Sequence, residues 1–205
     1  MNFWILLQGF GLGATMIIPI GAQNAYVLNQ GIKRHHHFTT ATTCSLLDML
    51  FISLGMFGGG ALLSQNQTLL HAVTIAGIVF LTVYGAFSLK NAFKAAQAED
   101  NDAPTPMSLG RKGVILGAIG VTVFNPHLYL DTVVILGSLG GQFSGLERVA
   151  FALGTMLASI VWFYSLSYAA SKMSHILSRP KVRRAIDGLI AIMMFTIAFM
   201  LSKQL

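Results

Sequence analysis

Residues 125–131 read NPHLYLD and interrupt an apolar run that extends from 113 to 137. The stretch contains a proline, Pro126, and a carboxylate, Asp131, together with the hydrogen-bonding side chains of Asn125 and His127. An ionisable group is expensive in hydrocarbon, so it is rare in a membrane-spanning helix unless the function of the protein requires it. Proline removes a backbone donor and breaks the hydrogen-bond ladder of a helix. The stretch therefore predicts an interrupted membrane helix that carries a functional acid.

The composition of the chain is that of an integral membrane protein. Of its 205 residues, 54% are hydrophobic and only 10% are charged, and the mean hydropathy is +0.67. A soluble domain has about 25% charged residues on average. Six apolar segments, each near the roughly 17–25 residues that a helix needs to cross a bilayer, lie at 3–28, 38–63, 69–89, 113–137, 149–171 and 185–202. The first segment lacks the basic start of a signal peptide and continues into polar residues, so it reads as a retained helix. We therefore predict an all-α membrane protein with six transmembrane helices.

The net charge of +6 is distributed unevenly along the chain. Eleven of the thirteen basic residues fall in or beside the loops after the first, third and fifth segments, and only Arg148 and Lys203 fall on the other side. The eleven are Lys33, Arg34, Lys90, Lys94, Arg111, Lys112, Lys172, Arg179, Lys181, Arg183 and Arg184. By the positive-inside rule, these loops are cytoplasmic and both termini are periplasmic. The basicity thus indicates membrane topology, and it gives no reason to expect a nucleic-acid partner.

The first apolar segment contains a second interruption. Pro19 and Gly21 are followed by the amide side chains of Gln23 and Asn24. Backbone groups that a proline frees at mid-membrane are tolerated only where they face protein or a wet cavity. Upstream of the interruption, glycines at 9, 11 and 13 predict that another helix approaches closely.

The second apolar segment carries Asp48 well inside the predicted span. No basic residue lies within helical reach of it at positions 44, 45, 51 or 52. Asp48 and Asp131 could each serve only to hydrogen-bond neighbouring helices, since polar residues do hold membrane bundles together. A serine or asparagine would do so more cheaply, and we therefore favour a functional role for both acids.

Other polar residues have simpler interpretations. Asp187 follows Arg184 and Arg183 by three and four residues, which favours a surface ion pair on one helix face. The histidine run at 35–37 adjoins basic residues, and successive helical residues diverge in direction, so a solvated loop is favoured over a metal site. Cys44, the single cysteine, excludes an internal disulfide. We predict neither a metal nor a cofactor.

The two interruptions are related by an internal repeat. An offset of 107 residues superposes Gly13 on Gly120 and Pro19 on Pro126, and it places Asn24 opposite Asp131. Each half has three spans, so the halves must lie in the membrane with opposite orientations, as in the inverted repeats of secondary transporters. We predict a first three-helix repeat at 1–94, a cytoplasmic linker at 95–112 and a second repeat at 113–205.

Three stretches of the chain resemble a known family. PIGAQNAYVLNQGIKR (19–34), LLDMLFISLGMFGGGALL (46–63) and NPHLYLDTVVILGSLGGQ (125–142) are similar to the lysine exporter family, LysE, and most closely to its arginine-exporting branch. The resemblance covers nearly the whole chain. It implies export of basic amino acids, chiefly arginine and lysine, across the bacterial inner membrane.

The resemblance also implies which residues contact the substrate. The intramembrane aspartates of the family match Asp48 and Asp131, and its amide and proline motifs match Gln23, Asn24, Asn125 and Pro126. His127, Tyr129 and Asp187 are further candidates. Two positions depart from the family pattern: Ala22 stands where members commonly carry proline, and Asp187 stands where an amide is expected, which leaves a role in gating or cation access open for it.

The residues themselves are consistent with a secondary exporter of arginine. A carboxylate is the natural partner of a cationic side chain in a site of low dielectric constant. Amide side chains and backbone groups freed beside Pro19 or Pro126 could bind the α-carboxylate of the substrate. Outward movement of a monovalent cation opposes the membrane potential by ~2.3 kcal/mol per 100 mV, and exchange for a proton would cancel that term. We expect arginine, with lysine and toxic analogues such as canavanine as further substrates, to leave by proton antiport.

Three alternatives are open at this stage. An exporter of neutral amino acids such as homoserine or threonine fits the fold, although it has less use for two acids. An exporter of an inorganic cation would use the acids, but oxygen-coordinated sites usually contain more carboxylates. An intramembrane enzyme would have to use His127 with Asp131, and no nucleophile completes such a site. Glycines are clustered at 9–13 in the first segment and at 55–60 in the second. These clusters fit internal packing and a homodimer interface equally well.

Overall fold

The computed structural model describes residues 3–19, 21–57, 67–97, 110–125, 128, 136 and 142–203, and at 67–70, 73 and 94–97 it describes only the backbone. Within these ranges the chain forms helices joined by turns, and no strand. The helices with described bounds are α1 (Phe3–Ile17), α2 (Ala22–Ile32), α3 (His37–Met56), α4 (Gln67–Gln97), α5 (Arg111–Val123), α6 (Gly145–Lys172), α7 (Ser174–Leu177) and α8 (Pro180–Ser202).

The apolar helices are long enough to span a membrane. In the described part of the chain, α3, residues Thr74–Phe93 of α4, α6 and α8 each have the length and apolar composition of a span, and α1 with α2 adds a fifth if the two are one bent span. The chain is therefore a multi-pass membrane protein. The predicted fourth span begins as α5, but most of its second half lies outside the described residues. The arrangement of six helices as an inverted repeat stays a prediction.

The predicted interruption at Pro19 is confirmed. α1 ends at Ile17, α2 begins at Ala22 after an extended Gly21, and the two helix axes differ by 81°. Both helices nevertheless follow α6 in the same direction, since Gly13 of α1 lies against Thr155 and Gly31 of α2 lies against Ala170. The first predicted span, 3–28, is thus two helices that run along one partner.

The predicted close approach to the glycines of α1 is also confirmed, and the partner is α6. A Cβ atom on Gly9 would collide with the carbonyl oxygen of Phe151, and one on Gly154 would collide with that of Leu6. The hydroxyl of Thr155 donates to the carbonyl oxygen of Gly9 at 3.1 Å. Small residues at such a contact let two backbones approach closely, which favours helix association in lipid. Gly11, in contrast, faces open space.

Helices from the two predicted repeats are interleaved. α1, α2 and α3 pack mainly against α6, and α4 packs mainly against α8. α4 continues to Gln97, three residues beyond the predicted end of the first repeat, and residues 98–109 lie outside the described part of the chain. The boundaries of the repeats and of the linker therefore stay predictions.

One end of the bundle collects basic residues, and we call it the basic end. Arg34, which follows α2, donates from Nε to the carbonyl oxygen of Ser171 at the end of α6 at 2.9 Å. Lys172 is the last residue of α6, and Arg183 lies near the start of α8, which follows α6 through the short α7. α1 begins, and α8 ends, at the opposite end of the bundle, where Arg148 lies at the start of α6. The placement of both termini on one side of the membrane and the assignment of the basic end to the cytoplasm stay predictions.

Candidate functional site

Asp48 lies near the middle of α3 and is the acid at the centre of the described bundle. It is eleven residues beyond His37, the first residue of α3, which places it about 17 Å along a helix with a rise of about 1.5 Å per residue. Its exposed fraction is 5%. A depth of about half the ~30 Å hydrocarbon thickness is where an unpaired charge is most expensive.

The carboxylate of Asp48 is held by two neutral donors from different helices. Gln23 of α2 donates from Nε2 to Oδ1 at 3.0 Å, and Ser159 of α6 donates from Oγ to Oδ2 at 2.7 Å. The ion pair found among the described residues involves Asp187 and not Asp48. Neutral hydrogen bonds fix the orientation of the carboxylate, and they leave its charge to be balanced by a group that the described residues do not supply.

Asn24 repairs the break between α1 and α2. Its Nδ2 donates to the carbonyl oxygens of Ile17 and Pro19, both at 2.8 Å, and its Oδ1 accepts a hydrogen bond from Nε1 of Trp162 at 3.0 Å. A proline at position 19 leaves backbone carbonyl groups without a helical hydrogen-bond donor. The side chain of Asn24 donates to two such carbonyl groups. Asn24 therefore supports the shape of the site more directly than it offers a hydrogen bond to a ligand.

A cavity of about 310 Å³ adjoins these residues. Its polar lining consists of Gln23, Asn24, Asp48, Asn125 and Thr155. Apolar side chains, among them Ile52 and Ile197, complete the wall. Pockets that bind small molecules have volumes of about 300–1,000 Å³ and combine an apolar wall with a few polar groups. The cavity is thus of a size and composition to hold one small polar ligand.

The structure brings together most of the predicted site residues that it describes. Pro19, Gln23, Asn24, Asp48 and Asn125 all line this one cavity. The predicted residues Pro126, His127, Tyr129 and Asp131 lie outside the described residues, and their roles stay predictions.

Asp187 lies apart from the cavity, near the basic end of α8. The predicted ion pair is present, since Nε of Arg183 lies 3.8 Å from Oδ2 of Asp187. The predicted surface position is wrong, because the side chain of Asp187 is only 5% exposed. It packs inward because α8 presents this face to its neighbours, with Ile190 and Ala191, which follow on the same helix, also buried.

Two contacts of the site were missed by sequence reasoning. Ser159 is separated from Asp48 by 111 residues, and a serine in an apolar helix carries no signal of its own. Trp162 fits packing or an interfacial position equally well from the sequence, whereas in the structure its indole N–H holds Asn24. Both residues lie on one side of α6 at the i, i+3 spacing, which could have suggested that they act together.

A buried acid beside a polar cavity, inside a bundle of apolar helices, is the arrangement of a membrane transporter. The sequence pattern of the LysE type translocators matches residues 14–204. The chain belongs to this family, and it is accordingly a transporter rather than an enzyme.

The chain is also similar to curated relatives over nearly its full length. It is 47% identical over 201 residues to the "Putative amino-acid transporter YggA" of Aeromonas salmonicida, which covers 98% of this chain and 97% of the relative. It is 46% identical over 206 residues to the arginine exporter protein ArgO of Pectobacterium carotovorum, which covers 98% of each chain. It is 44% identical over 200 residues to the arginine exporter protein ArgO of Yersinia enterocolitica, which covers 98% of this chain and 97% of the relative. No solved structure matches the chain.

Proposed function

We propose that this protein exports L-arginine from the cytoplasm across the bacterial inner membrane, with lysine and toxic analogues such as canavanine as further substrates. Two of the relatives are named arginine exporters, and each is 44–46% identical to this chain over 98% of its length. These names support arginine as the substrate. The cavity beside Asp48 supports a small polar cargo.

The observation that carries the proposal is the carboxylate of Asp48. It is buried near the middle of α3, and its described hydrogen-bond partners are the neutral side chains of Gln23 and Ser159. A buried carboxylate needs a counter-charge, and a guanidinium group provides one together with a planar pair of donors. A neutral amino acid such as homoserine or threonine would leave that charge unbalanced.

The start of α2 also lines the cavity and suits the α-carboxylate of the substrate. Gly21, the N-cap of α2, lines the cavity, and no side chain caps the helix there. The first backbone N–H groups of a helix carry a partial positive charge and bind anions. A broken span that points such a half-helix at an anionic substrate group is a common design in secondary transporters. The N-terminus of α2 would thus bind the α-carboxylate of the substrate, and Asp48 would bind its guanidinium group.

Proton antiport follows as the coupling that fits this site. A proton and a guanidinium group would compete for the same oxygen atoms of Asp48, so each would be released when the other binds. Inward movement of the proton cancels the electrical term of arginine export, which is about 2.3 kcal/mol per 100 mV. The second acid, Asp131, would provide a further station on the path.

The inverted repeat and the membrane orientation belong to the same proposal. α1 ends at Ile17 and α5 ends at Val123, which are equivalent to within one residue at the 107-residue offset of the repeat. The basic end is expected in the cytoplasm, with both termini in the periplasm. A homodimer stays a prediction.

The test is transport in reconstituted vesicles together with growth of an exporter-deficient strain on canavanine. We expect Asp48→Asn, which keeps the shape of the side chain, to reduce arginine export at least about a hundredfold, since a buried pair between two charges is lost. Its abundance in the membrane should match that of wild type. Undiminished export by Asp48→Asn would refute the role of this acid. Export that is insensitive to a pH gradient would refute antiport, and preferential export of threonine or homoserine would support the neutral alternative.

A further inference from the structure

Asp187 is a second buried acid, separate from the cavity, and one of its oxygens lacks a hydrogen bond. Its exposed fraction is 3%, and Oδ2 makes no hydrogen bond to any residue that the structure describes. Arg183 approaches this oxygen through Nε at 3.8 Å, which is within ion-pair range but too long for a hydrogen bond. A buried carboxylate that leaves its strongest available bonds unmade is unusual, because each such bond is worth more than a neutral one.

A polar stripe on α2 runs from the cavity toward the basic end of the bundle. Gln23, Tyr26, Gln30 and Lys33 follow one another at intervals of three, four and three residues, which places them on one face of the helix. Gln23 contacts Asp48 at one end of the stripe, and Lys33 lies at the other end, next to Arg34 at the basic end of the bundle. The ten residues between these ends span about 15 Å at a rise of about 1.5 Å per residue.

The middle of the stripe packs against α4. The ring of Tyr26 lies 6.2 Å from that of Tyr84 on α4, measured between centroids. Tyr26 and Gln30, each 4% exposed, are thus buried polar residues on the face of α2 that lies between Gln23 and Lys33.

We propose that Asp187 is the first binding site for the guanidinium group of arginine at the basic end, and that Arg183 occupies this site when no substrate is present. The inference rests on the proposed export of arginine and adds a site to it. The side chain of Arg183 has the same chemistry as the substrate and acts as its built-in competitor.

The geometry favours a pair in which substrate arginine can replace Arg183 at Asp187 over a pair that is permanently formed. Arg183 comes from the same helix, four residues before Asp187, and meets Oδ2 with a single Nε at 3.8 Å. A free arginine can approach without that tether and present two parallel N–H groups to a carboxylate. Arg183 is 27% exposed and can turn toward water when it is displaced, so the exchange leaves no buried cation without a partner.

The test compares two substitutions that remove opposite halves of the pair. Arginine uptake is measured in inside-out membrane vesicles, with substrate added at the face predicted to carry the basic end. Asp187→Asn should raise KM about tenfold with little change in the maximal rate, since one charge-assisted contact is lost. Arg183→Gln should lower KM by about threefold or more, because the competitor is gone. Arg184→Gln, an exposed neighbour with the same change of charge, is the matched control and should leave KM unchanged.

Opposite shifts of KM in Asp187→Asn and Arg183→Gln would establish exchange, because a merely structural pair predicts the same effect from either loss. Equal shifts, no shift in either, or a common fall in abundance would overturn the inference. If Asp187→Asn is poorly folded, Asp187→Glu serves instead: it keeps the charge, and the inference requires its KM to lie between those of wild type and the tenfold shift. A wild-type protein that fails to take up arginine would overturn the proposed function itself, whereas uptake that depends on Asp48 but not on Asp187 would overturn this inference alone.

Discussion

Substitution of Asn24 by aspartate should destabilise the protein, although the internal repeat pairs this position with Asp131. Asn24 Nδ2 lies 2.8 Å from the carbonyl oxygens of both Ile17 and Pro19. In Asn24→Asp this donor becomes an oxygen that faces two other oxygens. Leaving a buried acceptor without its hydrogen bond costs about 1–3 kcal/mol, so the loss of two such bonds costs about 2–6 kcal/mol. Protonation of the new carboxyl group could restore one bond, which favours the lower half of that range.

The effect should be visible as a fall in melting temperature. A change of 1 kcal/mol shifts the melting temperature of a chain of this size by about 2–4 °C, so we expect a loss of roughly 5–15 °C. The measurement is size-exclusion chromatography of a fluorescent fusion in detergent after heating. Trp162→Phe is the matched control: it removes one hydrogen bond to Asn24 but leaves both carbonyls satisfied, and it should cost about 1 kcal/mol. An Asn24→Asp protein that melts within about 2 °C of wild type would refute the idea that this side chain holds the broken helix together.

Two further predictions concern the contact of α6 with the rest of the bundle. Gly154→Ala should lower the melting temperature by several degrees, since its Cβ would meet the carbonyl oxygen of Leu6 and overpacking costs about 1–3 kcal/mol; Gly11→Ala, which meets nothing within 4 Å, should be neutral by the same assay. Ser159→Ala removes the 2.7 Å hydrogen bond to Asp48 and should reduce arginine export about tenfold, as expected for a bond to a charged group, at unchanged abundance. Wild-type export by Ser159→Ala would show that this bond does not orient the acid.

The parts of the fold that the sequence predicts correctly are those set by local chemistry. Apolar length identifies the four or five candidate spans of the described residues, and Pro19 identifies the place where the first apolar segment breaks. The absence of basic residues near Asp48 along its own helix predicts that no lysine or arginine of that helix pairs with it. The break and the missing partner are decided by residues within one or two helical turns, and a span is decided by its own continuous apolar run.

The parts that the sequence does not predict depend on contacts between distant segments. Ser159 reaches Asp48, and Trp162 reaches Asn24, only because α6 packs against both α2 and α3. The surface position expected for Asp187 is wrong for the same reason: spacing on one helix reveals its partner Arg183, whereas burial is decided by the helices that pack on that face. A single sequence contains no direct record of such packing.

The interleaving of helices has a mechanical consequence for any motion that opens the cavity. Gly9 and Gly154 interlock α1 with α6 backbone to backbone, and a contact of this kind cannot slide without a clash. Among the described residues, α4 and α8 contact each other far more extensively than either contacts α2 or α5. The stiff units of the molecule are therefore not the halves of the sequence. Spectroscopic labels placed one on α1 and one on α6 would report a constant distance through the transport cycle, and labels placed across from α8 to α3 would report the motion.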